Sequence, residues 1–419
     1  MDPALIALCL VFSIIGCAIG TFTGLIPGIH VNTLAAVMLA VYGWIETILS
    51  GIVPEDYIPV CVCSIIMASS VVHSFLDFVP AVFIGAPDGE DAISILPGHR
   101  LLLKGEGMKA VRSAAIGSLI GCSAAILLAI PVQYIMLSGV SDYLNGFTKY
   151  VLLAVSAIIV LNEQRKGNLM PAVIAFLLSG GLGYMVMELP IPSTGILGEG
   201  TLLMPMLTGL FGLPMMLTAS KGKPYPKQTD SVKDPVGVVP GLKGVFMGTV
   251  AGWFPGITST VGATISATIM PERSPERFIS TVASIGTVTT VLSLVTLSVS
   301  GGGRSGTVIV IGEILGDSIS GFATTPFIIL IIIAAFASLI GYGLTVAIGN
   351  YISKRMAGQD PWKLNKAIIG ILIILVFLTT GFWGMVILVI ALTIGFIPVK
   401  FETAMIPLCG CLIVPVLLM

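Results

Sequence analysis

The residues in this chain that could do chemistry gather at breaks in apolar sequence. Arg304 stands between glycines in Gly301-Gly-Gly-Arg304-Ser305-Gly306. A guanidinium beside the exposed N–H groups of a helix start suits an anion. The run Gly20-Thr-Phe-Thr-Gly24-Leu-Ile-Pro27-Gly28-Ile29-His30-Val-Asn32-Thr33 places an imidazole, an amide and a hydroxyl just after a Pro-Gly step. Pro255-Gly256-Ile257-Thr258-Ser259-Thr260 does the same with hydroxyls. These groups fall where a helix would restart, so backbone N–H groups join them in facing an anion. For any one Ser or Thr, simple capping of the new helix is the alternative. His73 and Asp77 are spaced i, i+4 and share a helix face. Such a pair can pass a proton near neutral pH, and it can equally be a buried pair that fixes helix packing. Asp317 and Asp77 are alternative cation or proton ligands, with unwound carbonyls completing a sodium site.

The elements that hold these groups must be membrane helices. Of 419 residues, 56% are hydrophobic and 10% charged, and the mean hydropathy is +1.05. Soluble domains carry about 25% charged residues. A charge at membrane depth costs roughly 2.5–3.5 kcal/mol or more, so each intramembrane ionisable residue is a functional candidate. A net charge of −1 without a basic cluster gives no support to a nucleic-acid partner. Cys61-Val-Cys63 and Cys409-Gly-Cys411 lack the wider ligand set of a zinc site, and all seven cysteines sit in apolar surroundings, as buried free thiols do. No metal or organic cofactor is expected beyond H+ or Na+ as a coupling ion. Met1-Asp2-Pro3-Ala4 has no positive n-region, so the first apolar run is expected to stay as a helix.

The two Pro-Gly segments share Gly-Thr-x-x-Gly-x-x-Pro-Gly-Ile, from Gly20 to Gly248, at an offset of 228. Proline lacks the N–H and glycine leaves helical dihedrals easily, so each step interrupts a helix. In lipid the freed backbone groups must be buried in protein or line a wet cavity. Broken segments in corresponding positions of two halves point to a transporter's binding site. A weaker match, Ile84-Gly85-x-x-x-Gly89-Glu90 with Ile311-Gly312-x-x-x-Gly316-Asp317, lies at offset 227. The fold expected is an all-α polytopic membrane protein of two inverted repeats, 1–228 and 229–419, with Pro-Gly-broken or re-entrant helices. Apolar runs cover 4–26, 29–49, 58–86, 113–136, 147–161, 169–187, 204–218, 241–255, 257–270, 278–320, 326–348, 367–380, 384–397 and 405–419. With 100–112 placed in the cytoplasm, the inside segments hold every Lys and Arg except Lys149 and Arg304. That puts both termini outside and turns the halves over relative to one another, in a multi-pass protein of the plasma membrane.

Residues Pro27–Thr33 and Pro255–Thr260, the stretch His73-Ser-Phe-Leu-Asp77-Phe-Val-Pro80-Ala-Val-Phe-Ile-Gly85-Ala-Pro-Asp88, Leu96-Pro-Gly-His99-Arg100-Leu-Leu-Leu-Lys-Gly105 and Arg304-Ser-Gly306 resemble the large membrane subunit of tripartite tricarboxylate transporters, the TctA family, and within it the archaeal branch. The resemblance implies ion-coupled uptake of small organic anions such as di- or tricarboxylates. It also implies substrate contacts at the two Pro-Gly loops, here Pro27, Gly28, His30, Asn32, Thr33, Pro255, Gly256, Thr258, Ser259 and Thr260, to which the residues themselves add Arg304 and Ser305. Short outside loops do not call for the binding-protein partner that longer bacterial members use, and a homo-oligomer is left open. Polyprenyl-phosphate translocases also pair inverted halves with a Pro-Gly motif in each, so a lipid phosphate is the second substrate class. Gly303-Arg304-Ser305-Gly306 also matches the Gly-x-Ser-Gly of rhomboid-type intramembrane proteases. In those the histidine base follows the serine, whereas His30, His73 and His99, the chain's 3 histidines, all precede Ser305. The chain is therefore not expected to be an enzyme.

Overall fold

The computed structural model describes residues 2–26, 31–84, 95–164, 167–196, 198–199, 201–218, 224–229, 236–254, 259–303 and 305–418. Asp2 caps α1 (Pro3–Leu25), accepting from Ala4 N at 2.8 Å. The helix ends because Pro27 drives the residue before it out of the α region, and Ile26 is extended (φ −103°, ψ 105°). Next come α2 (Val31–Ala40) and α3 (Tyr42–Leu49). The expected 58–86 crossing is α4 (Ile58–Leu76) and α5 (Phe78–Phe83), broken at Asp77. Pro80 explains the break, since it has no N–H for the Leu76 carbonyl. Further on, α6 (Ile95–Leu103) leads into α7 (Gly107–Ile135). A π turn with Gly139 at φ 99° joins α7 to α8 (Ser141–Gln164). After α9 (Leu169–Glu188) a two-residue antiparallel pair, Thr194–Gly195 with Gly198–Glu199, precedes α10 (Leu203–Leu207) and α11 (Leu213–Thr218).

The second half opens with α12 (Val239–Trp253), which ends as α1 does, with Phe254 extended (φ −85°, ψ 124°) before a proline. Then follow α13 (Ser259–Ile269), α14 (Pro275–Ser300), α15 (Gly306–Leu315), α16 (Thr325–Met356), α17 (Pro361–Phe401) and α18 (Gly410–Leu418). The runs expected at 367–380 and 384–397 are one helix, α17, bent at Gly381 (φ 63°, ψ −149°), a conformation open in practice only to glycine. Seven helical stretches among the described residues are long and apolar enough to cross a membrane: Pro3–Leu25, Glu55–Phe83, Gly107–Gln164, Leu169–Glu188, Pro275–Ser300, Thr325–Met356 and Lys366–Phe401. The protein is all-α and polytopic.

The segments flanking the second break are too short to cross. At 1.5 Å per residue α12 spans roughly 22 Å and α13 roughly 16 Å, against a hydrocarbon core of about 30 Å. Lys243 near the start of α12 lies 2.7 Å from Glu272, just past the end of α13. The start of α12 and the end of α13 thus lie side by side, as the two ends of a hairpin do. Arg277 at the start of α14 holds the same carboxylate at 2.9 Å, and Lys109 of α7 meets Glu276 at 3.4 Å. In the first half Asp2 and Tyr57 are hydrogen-bonded, so α1 and α4 start side by side. The described part of the linker, 224–229, is tied to two turns. Tyr225 N donates to Gln359 O at 3.0 Å, and Gln228 Oε1 accepts from Gly107 N at 2.9 Å.

Each hairpin's first arm packs on the next long helix through glycines. A Cβ on Gly16 would collide with Ile65 O, one on Gly20 would lie 2.5 Å from Ser69 O and 3.0 Å from Val72 Cβ, and one on Gly24 2.9 Å from Leu76 Cβ. On α12 the corresponding residues, 228 further on, are Gly244, Gly248 and Gly252. Their missing Cβ atoms would meet Thr281 O at 2.6 Å, Val288 Cβ at 2.6 Å and Leu292 Cβ at 3.2 Å. The partners 65, 72 and 76 map onto 281, 288 and 292 at a constant offset of 216. With no hydrophobic drive between helices in lipid, small residues and hydroxyls supply the attraction. Ser69 Oγ donates to Gly16 O at 2.9 Å, Ser284 Oγ to Gly241 O at 2.7 Å and Thr296 Oγ1 to Gly252 O at 3.0 Å. The same device brings Gly117 and Gly121 of α7 against Ser280 and Ser284 of α14. Meanwhile α7 and α16 run antiparallel, with Gln133 bonded to Ala323 N and Gly321 O at one end and Gly349 against Val111 at the other. All seven cysteines are free and buried.

Gly20→Ala should lower stability by about 1–3 kcal/mol, because only backbone movement relieves the clash. Gly43→Ala, where nothing lies within 4 Å, is the neutral control, and thermal unfolding in detergent compares them. Glu272 provides a pH test. Burial works against its carboxylate, but Lys243 and Arg277 outweigh it and hold its pKa below the ordinary 4.5. A depressed folded-state pKa stabilises above the unfolded value and loses that stability as pH falls through the folded one. Wild type should therefore lose stability on acidification below pH 4.5, and Glu272→Gln, weaker at neutral pH, should show a flatter acid limb.

Candidate functional site

The end of α1 and the start of α2 belong to a polar zone in an apolar protein. On α4, Ser70, His73, Ser74 and Asp77 follow the i, i+3, i+4, i+7 spacing of one helical face. Ser70, His73 and Asp77 are buried. Ser70 Oγ lies 3.3 Å from Thr307 Oγ1 in the first turn of α15. Ser74 Oγ lies 3.3 Å from Thr290 Oγ1 of α14. His73 Nδ1 is 3.0 Å from Thr23 Oγ1, two residues before the end of α1. Thr23 has a single proton, and while it points to Gly20 O at 3.3 Å the ring nitrogen is the donor.

The start of α15 is already occupied. Asn32 Oδ1, from the first turn of α2, accepts from Thr307 N at 3.0 Å. Ser305 caps the helix, accepting from Val308 N at 3.4 Å, and its hydroxyl also meets Thr307 Oγ1 at 3.1 Å. Two of the amides that a helix start leaves open are thus taken by neutral protein groups. The first half's hairpin grips the second half's half-helix directly, and Gly306 allows it, since a Cβ there would lie 2.8 Å from Asn32 Cβ.

Of the residues singled out in the sequence, Pro27, Gly28, His30, Pro255, Gly256, Thr258 and Arg304 lie outside the described residues. Thr33 and Thr260 fall in the first turns of α2 and α13, and Ser259, buried, opens α13. Asn32 and Ser305 come together at α15. His73 and Asp77 lie one turn apart at the α4 break. Asp317 is exposed on the 3₁₀ turn Gly316–Ile319 at the far end of α15. One half-helix of roughly 15 Å separates it from Ser305, so the structure does not bring it to the other candidates. Sequence reasoning missed Ser70, Ser74, Thr290, Thr307 and Thr23. The spacing of hydroxyls around His73 and Asp77 was the available signal for the first two.

The helix breaks, the glycine-packed hairpins and the polar face of α4 coincide with a match to one known family. The profile of the tripartite tricarboxylate transporter TctA family covers residues 10–410. The chain belongs to that family. TctA proteins are transporters rather than enzymes, and Ser305 accordingly serves here as a helix cap. An uncharacterized protein of Methanocaldococcus jannaschii, MJ1079, is 29% identical over 304 residues, covering 71% of this chain and 70% of the relative. That relative supports the archaeal branch of the TctA family. No solved structure matches.

Asn32→Leu should strand the buried Thr307 amide and cost about 1–3 kcal/mol. Asn32→Asp keeps an acceptor at that amide, and the helix start offsets part of the cost of its charge, so it should lose less stability than Asn32→Leu. Thermal unfolding of the two variants checks the assignment, and equal losses would contradict it.

Proposed function

We propose that this TctA protein moves a small anion, a di- or tricarboxylate, by secondary-active transport coupled to H+ or Na+, with alternating access around the two Pro-Gly loops. The observation that carries the reading is the matched pair of breaks. α1 and α12 end at Leu25 and Trp253, and α2 and α13 begin at Val31 and Ser259, each pair 228 apart. Each first arm also grips its neighbour in the same glycine register. Paired interrupted helices of this kind are where transporters hold substrate.

In this proposal 1–228 and 229–419 are inverted repeats, with both termini outside. Support comes from α7 and α16, the long helices that follow the break in each half, which are neighbours running in opposite directions. Ser74 and Thr290 are equivalent at offset 216 and touch. Two positions exchanged by a two-fold axis can meet only close to that axis, here between the ends of α1 and α12. Residues 27–33, 255–260 and Arg304 would line the substrate path, Ser305 would help by fixing α15, and His73 with Asp77 would carry the coupling proton or cation. The bilayer is the one partner the proposal requires.

The test is a binding panel on purified protein. It compares thermal stabilisation by citrate and succinate with that by short-chain polyprenyl phosphate, with and without sodium. A substrate at about 100 Kd should add roughly 2.7 kcal/mol, and Arg304→Ala should abolish the gain. Stabilisation by the lipid phosphate alone would replace carboxylate transport with lipid-carrier translocation.

A further inference from the structure

The stretches Glu55–Phe83 and Pro275–Ser300, which contain α4 and α14, are the most enclosed of the seven spans, 89% and 83% buried. Along 60–83 every residue is buried except Ser74, and along 279–298 every residue except Thr289 and Thr290. Ser74 and Thr290 are equivalent at offset 216, so each inner helix opens at the same place in its half. There the two hydroxyls meet, Oγ to Oγ1 at 3.3 Å. Each already has a shorter bond to a carbonyl of its own helix. Ser74 Oγ donates to Ser70 O at 3.0 Å, and Thr290 Oγ1 to Gly286 O at 3.1 Å. A hydroxyl has one proton and two lone pairs. The two oxygens therefore face one another as acceptors, a pairing that suits a cation held by both.

The spacing fits one size of ion. A cation of sodium or calcium size holds oxygens at about 2.3–2.6 Å, so two at right angles stand roughly 3.3–3.7 Å apart. Magnesium, at about 2.0–2.1 Å, would draw them to roughly 2.8–3.0 Å. Asp77 lies three residues on, along the same helical face, and brings one carboxylate. Calcium takes roughly 6–8 oxygens, several of them from carboxylates, whereas one acid among neutral hydroxyls suits a monovalent ion. The break at Asp77 adds an oxygen of the kind that completes sodium sites, since Pro80 has no N–H for the Leu76 carbonyl.

We infer that a single sodium ion binds on the pseudo-two-fold axis, ligated by Ser74 Oγ and Thr290 Oγ1, with Asp77 as its counter-charge. The inference rests on the ion-coupled reading above and deepens it. Of the two coupling ions it selects sodium, and it takes one ligand from each repeat. The ion is held in full only while α4 and α14 keep this register, so its affinity follows the relative position of the two halves.

The test measures binding of radioactive sodium to the full-length purified chain at about pH 8, where histidine is neutral, with choline holding the ionic strength constant. Wild type should bind sodium saturably, and sodium should raise its melting temperature more than potassium does. Ser74→Ala and Thr290→Val should each bind sodium about tenfold or more weakly, while Thr290→Ser, which keeps the oxygen, should match wild type. Thr289→Val is the control, because the Thr289 hydroxyl donates to Ile285 O at 2.8 Å on its own helix, and its affinity should be unchanged. Melting temperatures in choline verify that the variants are folded. Absence of saturable sodium binding to wild type overturns the inference, as does wild-type affinity in both Ser74→Ala and Thr290→Val. The sodium–potassium comparison needs no variant, and equal stabilisation by the two ions also overturns it. Each of these results leaves anion transport standing, which carboxylate stabilisation in choline judges on its own.

Discussion

A backbone interrupted inside hydrocarbon must find its hydrogen bonds within the protein. That constraint organises this chain. Pro27 and Pro255 end α1 and α12, and the architecture around them supplies what lipid cannot. Glycines let α1 and α12 lie close against α4 and α14, and serine and threonine hydroxyls on α4 and α14 reach carbonyls of α1 and α12. Asn32 and Ser305 then cap the third half-helix, α15. Remove these satisfiers and the breaks would be liabilities. With them in place, polar groups can persist at membrane depth where a solute could meet them.

The two hairpins are secured differently. The second is fastened at its mouth by charge, through Glu272 between Lys243 and Arg277. At the corresponding positions the first hairpin offers Ile15, Trp44 and Cys61. Ile15 and Trp44 are exposed, which suits contact with lipid. The first hairpin reaches the second half at the opposite end, where Asn32 grips Thr307. The amide equivalent to Thr307 at offset 227 would belong to Pro80, which has none. At that position the grip therefore has no counterpart.

Much of this was legible in the sequence because proline and glycine act locally. Both hairpin tips, the apolar class and the isolation of His73 and Asp77 follow from residue types alone. The break at Asp77 was legible in principle too, since Pro80 leaves the Leu76 carbonyl without its donor. The contact between Ser74 and Thr290 was not. The halves correspond at an offset of 228 around the Pro-Gly steps, 216 along the long helices and 227 at the following half-helix, so a search at any single spacing loses the relation. The interruption at 381–383 was legible too, but as a gap between two runs and not as a bend at Gly381 within one helix.

Gln133 has a bearing on how the chain is made. Fully buried on α7, it donates to Ser298 Oγ at 2.8 Å and Gly321 O at 3.0 Å, and accepts from Ala323 N at 3.0 Å. Every one of those partners is synthesised more than 150 residues later. Until they enter the bilayer, the amide of Gln133 must stay with water or the insertion machinery, because lipid offers it nothing. The first half of the nascent chain cannot reach its final form by itself. Biogenesis is thereby a joint event for both halves, and a split or truncated gene product would be a substrate for quality control rather than half a transporter.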